Sequence, residues 1–148
     1  MTSPFSYPAL ICNTQSGSND EAVREQIAAL CRAHGAPLMA TFALPDGSIP
    51  DAAELMRQGI DLLLVWTGDG TINAAASKAA GWEGAILVLP GGTLNLLSKA
   101  LHGDRPLAEI LADALQGTAR RSPIPTIRSS AGEAFITVIA GPATRWAE

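Results

Sequence analysis

Residues 62–71 read LLLVWTGDGT, and this stretch carries the clearest evidence for the fold class. Its first five residues are continuously apolar, as in a strand buried on both faces of a parallel sheet. Two glycines around an acid then form a turn, and residues 72–80 follow with helical spacing and many alanines. A buried strand, a glycine turn and a helix in this order indicate an α/β protein.

The same unit of strand and helix recurs along the chain. Apolar runs predict further strands at residues 9–12, 37–44, 85–89 and 133–140. Apolar residues at helical spacing predict helices from residue 20 to Gly35, from Asp51 to Gly59, at 72–80, at 93–101 and from Pro106 to Gly117. Residues 120–130 are polar and contain prolines, which indicates a linker. We therefore expect an α/β fold, a layered parallel sheet with helices on both faces.

The composition is that of a globular domain. Of the 148 residues, 47% are hydrophobic and 16% are charged, which argues against disorder. The net charge of −4 argues against non-specific nucleic-acid binding, so we expect no nucleic-acid partner. No apolar run approaches the ~20 residues that cross a bilayer, and the first residues do not resemble a secretory signal. Cys12 and Cys31 are predicted to be buried, reduced thiols of a cytoplasmic protein.

Three polar, glycine-containing loops follow three of the predicted strands. They are residues 13–17 (NTQSG), 68–71 (GDGT) and 90–95 (PGGTLN). Ligands of parallel sheets bind beyond the carboxyl ends of the strands, so the loops are expected to converge on one edge. Glycine lets the main chain approach a ligand, and a helix start offers N–H groups to it. Three such loops together predict a polyphosphate site.

Asp69 is an unexpected residue beside phosphates, because a carboxylate repels them. It fits if a metal ion lies between the two, or if it takes a proton from an attacking hydroxyl. The nearby Thr71 either donates a hydrogen bond to a phosphate or caps the helix. The chain has no P-loop motif, no Gly-x-Gly-x-x-Gly at its first helix and no His/Cys cluster at metal-ligand spacing. His34 and His102, each near a helix end, are predicted to be surface residues.

Two motifs at a fixed distance carry a resemblance to a known family. Residues 67–73 (TGDGTIN) are followed by residues 89–95 (LPGGTLN), and residues 13–17 follow the first strand. In order and spacing these motifs resemble the diacylglycerol kinase catalytic domain family, which includes bacterial lipid kinases and sphingosine kinases. The resemblance covers roughly residues 9–141. It implies the N-terminal nucleotide-binding domain of a two-domain kinase, with the fold that NAD kinases share.

The resemblance also implies a reaction and a set of site residues. ATP and Mg²⁺ would be the cofactors, and the γ-phosphate of ATP would pass to the hydroxyl of a diacylglycerol-like or sphingoid lipid at a membrane surface. Asp69 would act through Mg²⁺ or as the base on the lipid hydroxyl. The residues implied to bind the nucleotide are Asn13, Ser16, Gly17, Thr67, Gly68, Gly70, Thr71, Asn73, Gly92, Thr93 and Asn95.

The chain departs from the family pattern at several positions. Thr67 replaces the first glycine of Gly-Gly-Asp-Gly-Thr, Thr14 replaces a proline, and Ala74 stands where an acid is common. Residues 96–99 (LLSK) lack the Asp-Phe-Ala that often follows the second motif. These differences leave the ATP site intact and the lipid head group open.

The length sets a further expectation. Residues 1–130 would form the ATP-binding α/β domain, and residues 131–148 would begin a C-terminal β-rich domain or an interdomain strand. We therefore expect a fragment that binds nucleotide weakly and transfers phosphate poorly or not at all. The apolar segment 135–139 would be left bare, so a homodimer through this C-terminal strand is a second hypothesis.

Two alternative functions stay open at this point. An NAD kinase-like enzyme shares the Gly-Asp-Gly loop and the fold, but the Pro-x-Gly-Thr-x-Asn loop is not expected in an NAD kinase. Phosphofructokinase also shares the Gly-Asp-Gly loop. A non-catalytic nucleotide-binding or regulatory module is the alternative from another class, favoured by Ala74 and by the short chain.

Overall fold

The computed structural model of the chain describes residues 3–14, 20–91, 95–121, 127–129 and 132–134. Its main sheet has four parallel strands in the order β2-β1-β3-β4. The strands are β1 (Pro8–Asn13), β2 (Ala40–Leu44), β3 (Leu62–Thr67) and β4 (Ala85–Pro90). The predicted parallel sheet is therefore confirmed.

Five helices connect or follow these strands within the described residues. They are α1 (Asp20–Ala33), α2 (Ala52–Arg57), α3 (Asp69–Lys78), α4 (Leu96–His102) and α5 (Leu107–Gln116). Asp51 begins α2 as an N-cap, with its carboxylate accepting the Glu54 N–H at 2.9 Å. Gly117 ends α5 at a φ of 79°, a backbone conformation that favours glycine.

Both faces of the sheet are covered by helices, as predicted. Strand β3 is buried along its whole length, and its side chains alternate between two apolar clusters. Leu64 and its neighbours on one face pack with residues of α1 and α5. Val65 and its neighbours on the other face pack with residues of α2, α3 and α4. Each fully buried leucine contributes about 2 kcal/mol of transfer free energy, so β3 is the centre of the core.

The strand order places a topological switch point between β1 and β3. From β1 the chain moves to β2 on one side, whereas from β3 it moves to β4 on the opposite side. Ligands of open α/β sheets bind outside the carboxyl ends of the strands at such a point. Here those ends are Asn13 and Thr67.

Three elements begin three residues away from their predicted starts. Strand β2 begins at Ala40 rather than at residue 37, because Pro37 has no N–H to contribute to a ladder. Helix α3 begins at Asp69, so the glycine turn is the first turn of the helix and Ile72 N–H donates to the Gly68 carbonyl at 3.2 Å. Helix α4 begins at Leu96 rather than at residue 93, directly after Asn95, whose φ of 52° is not helical.

The C-terminal part contains a strand that the sequence reasoning missed. Strands β5 (Ile127–Ser129) and β6 (Gly132–Ala134) pair as an antiparallel hairpin, so segment 120–130, expected to be a linker, contains β5. The predicted strand at 133–140 overlaps β6. Residues 135–140, including the segment of the homodimer hypothesis, lie outside the described residues, and the boundary at residue 130 stays a prediction.

Two further sequence predictions concern the environment of the chain. Cys12 and Cys31 are buried, as expected, and burial raises the pKa of Cys31 to about 11. No helix in the described part of the chain is long and apolar enough to span a membrane.

Candidate active site at the carboxyl edge of the sheet

Strands β1, β3 and β4 lie side by side in this order in the sheet. Each of them is followed by one of the three glycine-containing loops. The register aligns Cys12 with Trp66 and Thr67 with Pro90, so the three strands end at nearly the same level. The predicted convergence at one edge is therefore observed for Asn13, Gly68 and Gly91. Four of the predicted site residues lie outside the described residues: Ser16, Gly17, Gly92 and Thr93.

Gly68 and Gly70 leave open space beside the main chain. A Cβ added at either residue would meet no atom within 4 Å, and neither has a positive φ. Among the glycines whose surroundings are described, these two alone combine both properties. Gly70 also lies inside α3, where glycine is about 1 kcal/mol less favourable than alanine. The fold itself therefore does not require glycine here, and the space is available to a ligand.

The start of α3 faces the same edge. Gly68 is the N-cap residue in extended conformation, with φ of −74° and ψ of 169°. The first N–H groups of a helix have no partner within the helix, and the positive end of the helix dipole lies with them. An anion that approaches the bare backbone of Gly68 and Gly70 would thus meet hydrogen-bond donors.

The polar side chains predicted for the site differ in their exposure to solvent. Thr67 is fully buried, and its hydroxyl donates to the Gly68 carbonyl oxygen at 3.1 Å. The remaining described members are partly exposed; they are Asn13, Thr71, Asn73 and Asn95. The structure thus brings one end of β1, the first turns of α3 and the start of α4 to a common edge.

The Asp69 carboxylate connects the first turn of α3 with the first turn of α4. Its Oδ2 accepts the Leu96 N–H at 3.0 Å and its Oδ1 accepts the Leu97 N–H at 3.2 Å. Sequence reasoning missed this contact. The sequence held no local signal for it, because the two partners are 27 residues apart.

Gly91 adjoins the site, but sequence reasoning left it out of the set of site residues. A Cβ at Gly91 would lie 2.7 Å from the Thr67 nitrogen and 2.8 Å from the Trp66 carbonyl carbon. The Trp66 Nε1–H donates to the Pro90 carbonyl oxygen at 3.1 Å. Glycine at this position lets the second loop pack directly on the end of β3.

His102 corrects another prediction, since it is half-buried rather than a surface residue. Its Nε2 lies 3.0 Å from the Val88 carbonyl oxygen, so the ring links α4 to β4. Burial lowers the pKa of His102, with a smaller lowering from the positive charge of Arg105. The neutral ring is therefore favoured in the folded chain.

The comparisons with known proteins agree with this geometry. The chain matches the sequence profile of a family described as the diacylglycerol kinase catalytic domain over residues 8–127. No curated protein gives a significant match. The matched range includes all three loops and the whole parallel sheet. The chain therefore belongs to the diacylglycerol kinase catalytic domain family.

Proposed function

We propose that this chain is the ATP-binding part of a lipid kinase, which transfers the γ-phosphate of ATP to the hydroxyl of a diacylglycerol-like or sphingoid lipid. The observation that carries the proposal is the open space beside Gly68 and Gly70 at the topological switch point. Phosphate groups fit such a space, because it adjoins the N-terminal N–H groups of α3. Membership in the family supports phosphoryl transfer as the reaction class.

The nucleotide would be held mainly by main-chain groups and neutral polar side chains. In this proposal Thr71 and Asn73 of α3 bind phosphate and ribose, and Asn13 and Asn95 approach the nucleotide from the two neighbouring loops. Thr67 would contribute through its main chain, since its side chain is buried. Ser16, Gly17, Gly92 and Thr93 complete the set on the strength of the family motifs. Such an arrangement suits phosphoryl transfer, which depends on positioning and charge stabilisation.

Asp69 is the acid that this proposal assigns to the chemistry. A carboxylate has about four lone-pair sites, and two N–H groups of α4 use only part of this capacity. Asp69 would accept the proton of the lipid hydroxyl or hold the Mg²⁺ that accompanies ATP. When bound, Mg²⁺ neutralises charge on the phosphates, and it commonly takes one or two carboxylates plus phosphate oxygens as ligands. In the described part of the chain no three His, Cys, Asp or Glu side chains form a metal site, so the phosphates would supply most of the ligands.

An apolar acceptor is supported by the surface beside Asp69. Leu96, whose N–H is bound by Asp69, is 46% exposed. An exposed leucine next to an acid suits a substrate that has a hydroxyl and an apolar chain. The proposed setting is a cytoplasmic protein that meets its lipid at the membrane surface.

Titration calorimetry of this chain with Mg-ATP and Mg-ADP tests the nucleotide site, with NAD as the control ligand. We expect weak binding of both adenine nucleotides and no binding of NAD. Gly68→Ala should weaken the binding, because its Cβ occupies the open space. Ser77→Ala, an exposed position farther along α3, is the matched control and should bind as the wild type does.

Phosphate transfer from labelled ATP to lipids in mixed micelles tests the reaction. Labelled diacylglycerol or a labelled sphingoid base would support the lipid kinase and name its acceptor class. Binding of NAD with transfer to its ribose would instead identify an NAD kinase-like enzyme. ATP binding without transfer to any acceptor, from this chain and from a longer form of it, would support a regulatory module.

A further inference from the structure

The side chain of Asp69 makes a contact that a base or metal ligand does not need. Its two oxygens accept the N–H groups of Leu96 and Leu97, at 3.0 and 3.2 Å, across 27 and 28 residues of sequence. Hydrogen bonds from N–H groups to a carboxylate are stronger than those between neutral groups. The contact therefore joins the first turn of α3 firmly to the first turn of α4.

Helix α4 depends on this contact because its own N-terminus offers no substitute. Helices usually obtain a cap from the residue just before their first turn. Here that residue, Asn95, has a left-handed conformation with φ of 52° and ψ of 44°, and its side chain makes no capping hydrogen bond. The first turn of α4 also contains no acid. Asp69, from the first turn of α3, acts as the cap.

The chain between β4 and α4 is thereby attached at both of its ends, to the end of β3 and to the first turn of α3. At one end Gly91 packs on the backbone of Trp66 and Thr67. At the other end Asp69 holds the first two residues of α4. The position of the first turn of α4 relative to Gly68 and Gly70 therefore depends on the Asp69 carboxylate.

We propose that Asp69 is a positioning residue, which holds the start of α4 against the start of α3 so that both contact the same nucleotide. This inference rests on the proposed function, and it concerns binding before any chemical step. It also predicts whether removing the Asp69 carboxylate tightens or weakens nucleotide binding. Removing a negative charge near phosphates would by itself tighten nucleotide binding, whereas removing the attachment weakens it.

The test compares nucleotide affinity in Asp69→Asn, Asp69→Ala and the unaltered chain. Asparagine has one carbonyl oxygen and turns an amide donor toward an N–H group, so it loses one of the two hydrogen bonds. We expect the Kd for ADP to rise about tenfold or more, the size expected for one charge-assisted hydrogen bond. The titration is repeated in EDTA, where Asp69 cannot act through Mg²⁺. An unchanged or tighter Kd in EDTA overturns the proposal.

Asp51→Asn is the matched control. Asp51 also caps a helix with its carboxylate, but asparagine is an equally good N-cap there because a single oxygen suffices. This variant should bind ADP as the unaltered chain does. If Asp69→Asn lowers only the melting temperature and leaves the Kd unchanged, the contact is merely structural and the proposed positioning is wrong.

Amide hydrogen exchange at Leu96 and Leu97 tests the attachment without any nucleotide. We expect at least about tenfold faster exchange at these two amides in Asp69→Asn, with the amides of α5 unchanged. Equal exchange in variant and unaltered chain overturns the proposal. If the unaltered chain binds no nucleotide, the proposed function fails, and the exchange rates alone decide whether Asp69 holds α4.

Discussion

Gly91 and the pair Gly68 and Gly70 lie at the same edge of the sheet, yet glycine is present for opposite reasons. A Cβ at Gly91 would overlap the backbone at the end of β3, whereas a Cβ at Gly68 or Gly70 would meet nothing. The chain itself requires glycine at residue 91. At residues 68 and 70 the packing of the chain sets no such requirement, as expected if the proposed nucleotide occupies the open space. The contrast thus separates a glycine needed for packing from two glycines assigned to binding by the proposed function.

The largest expected effect is on the stability of Gly91→Ala. The added carbon would lie 2.7 Å from the Thr67 nitrogen, and a buried backbone atom cannot move aside as a side-chain end does. We expect a loss of about 3 kcal/mol in the free energy of unfolding, at the upper end for overpacked sites. Urea unfolding followed by far-ultraviolet circular dichroism measures it. A change within about 0.5 kcal/mol, the range of ordinary surface substitutions, would show that the loop moves away freely.

Trp66→Phe separates the packing of Gly91 against the tryptophan ring from its packing against the backbone of β3. The variant loses the Nε1–H bond to the Pro90 carbonyl and part of a buried ring, so we expect about 2 kcal/mol of destabilisation. When Gly91→Ala is added to Trp66→Phe, it should still lower the free energy of unfolding by nearly its full amount, because the closest contact of the added Cβ is with the Thr67 backbone. If the Trp66→Phe background removes most of that cost, the tryptophan ring and not the backbone requires glycine.

The contrast between these glycines was not visible in the sequence. The apolar runs at 62–66 and 85–89 predicted β3 and β4 to within one residue, because burial on both faces leaves a continuous hydrophobic signal. Sequence patterns treat glycines alike, however, since the volume around a missing side chain is set by tertiary packing. The same reasoning explains why Asp69 was assigned to chemistry while its contact with Leu96 was missed. A carboxylate and a helix start 27 residues away share no local pattern.

Acid should lower the stability of the folded chain through His102, which links α4 to β4. The folded-state pKa of His102 is lowered, mainly by burial, so the unfolded chain takes up a proton at higher pH than the folded chain does. The stability that the neutral ring contributes is complete above pH ~6.5, the ordinary pKa, and is lost as the pH falls through the folded-state value.

His102→Gln provides the reference for this pH dependence, because it keeps an N–H donor and does not titrate. Urea unfolding at pH 7.5 and 5.5 should show a larger loss of stability in the unaltered chain than in the variant. The other titrating groups are common to both chains and cancel in the difference. Equal losses would mean that protonation of His102 is not coupled to folding.

The smallest expected effect on stability, and the most informative one, belongs to Gly70→Ala. Alanine is the better helix former and its Cβ meets no neighbour, so the free energy of unfolding should stay the same or rise by up to about 1 kcal/mol. The affinity for Mg-ATP should nevertheless fall about tenfold or more, because the methyl group occupies the space that the phosphates need. A variant that is more stable and binds less well cannot be explained by damage to the fold. Unfolding and calorimetry on the same preparation decide the matter: unchanged affinity would leave the open space beside α3 without a ligand and would return Gly70 to the status of an ordinary surface glycine.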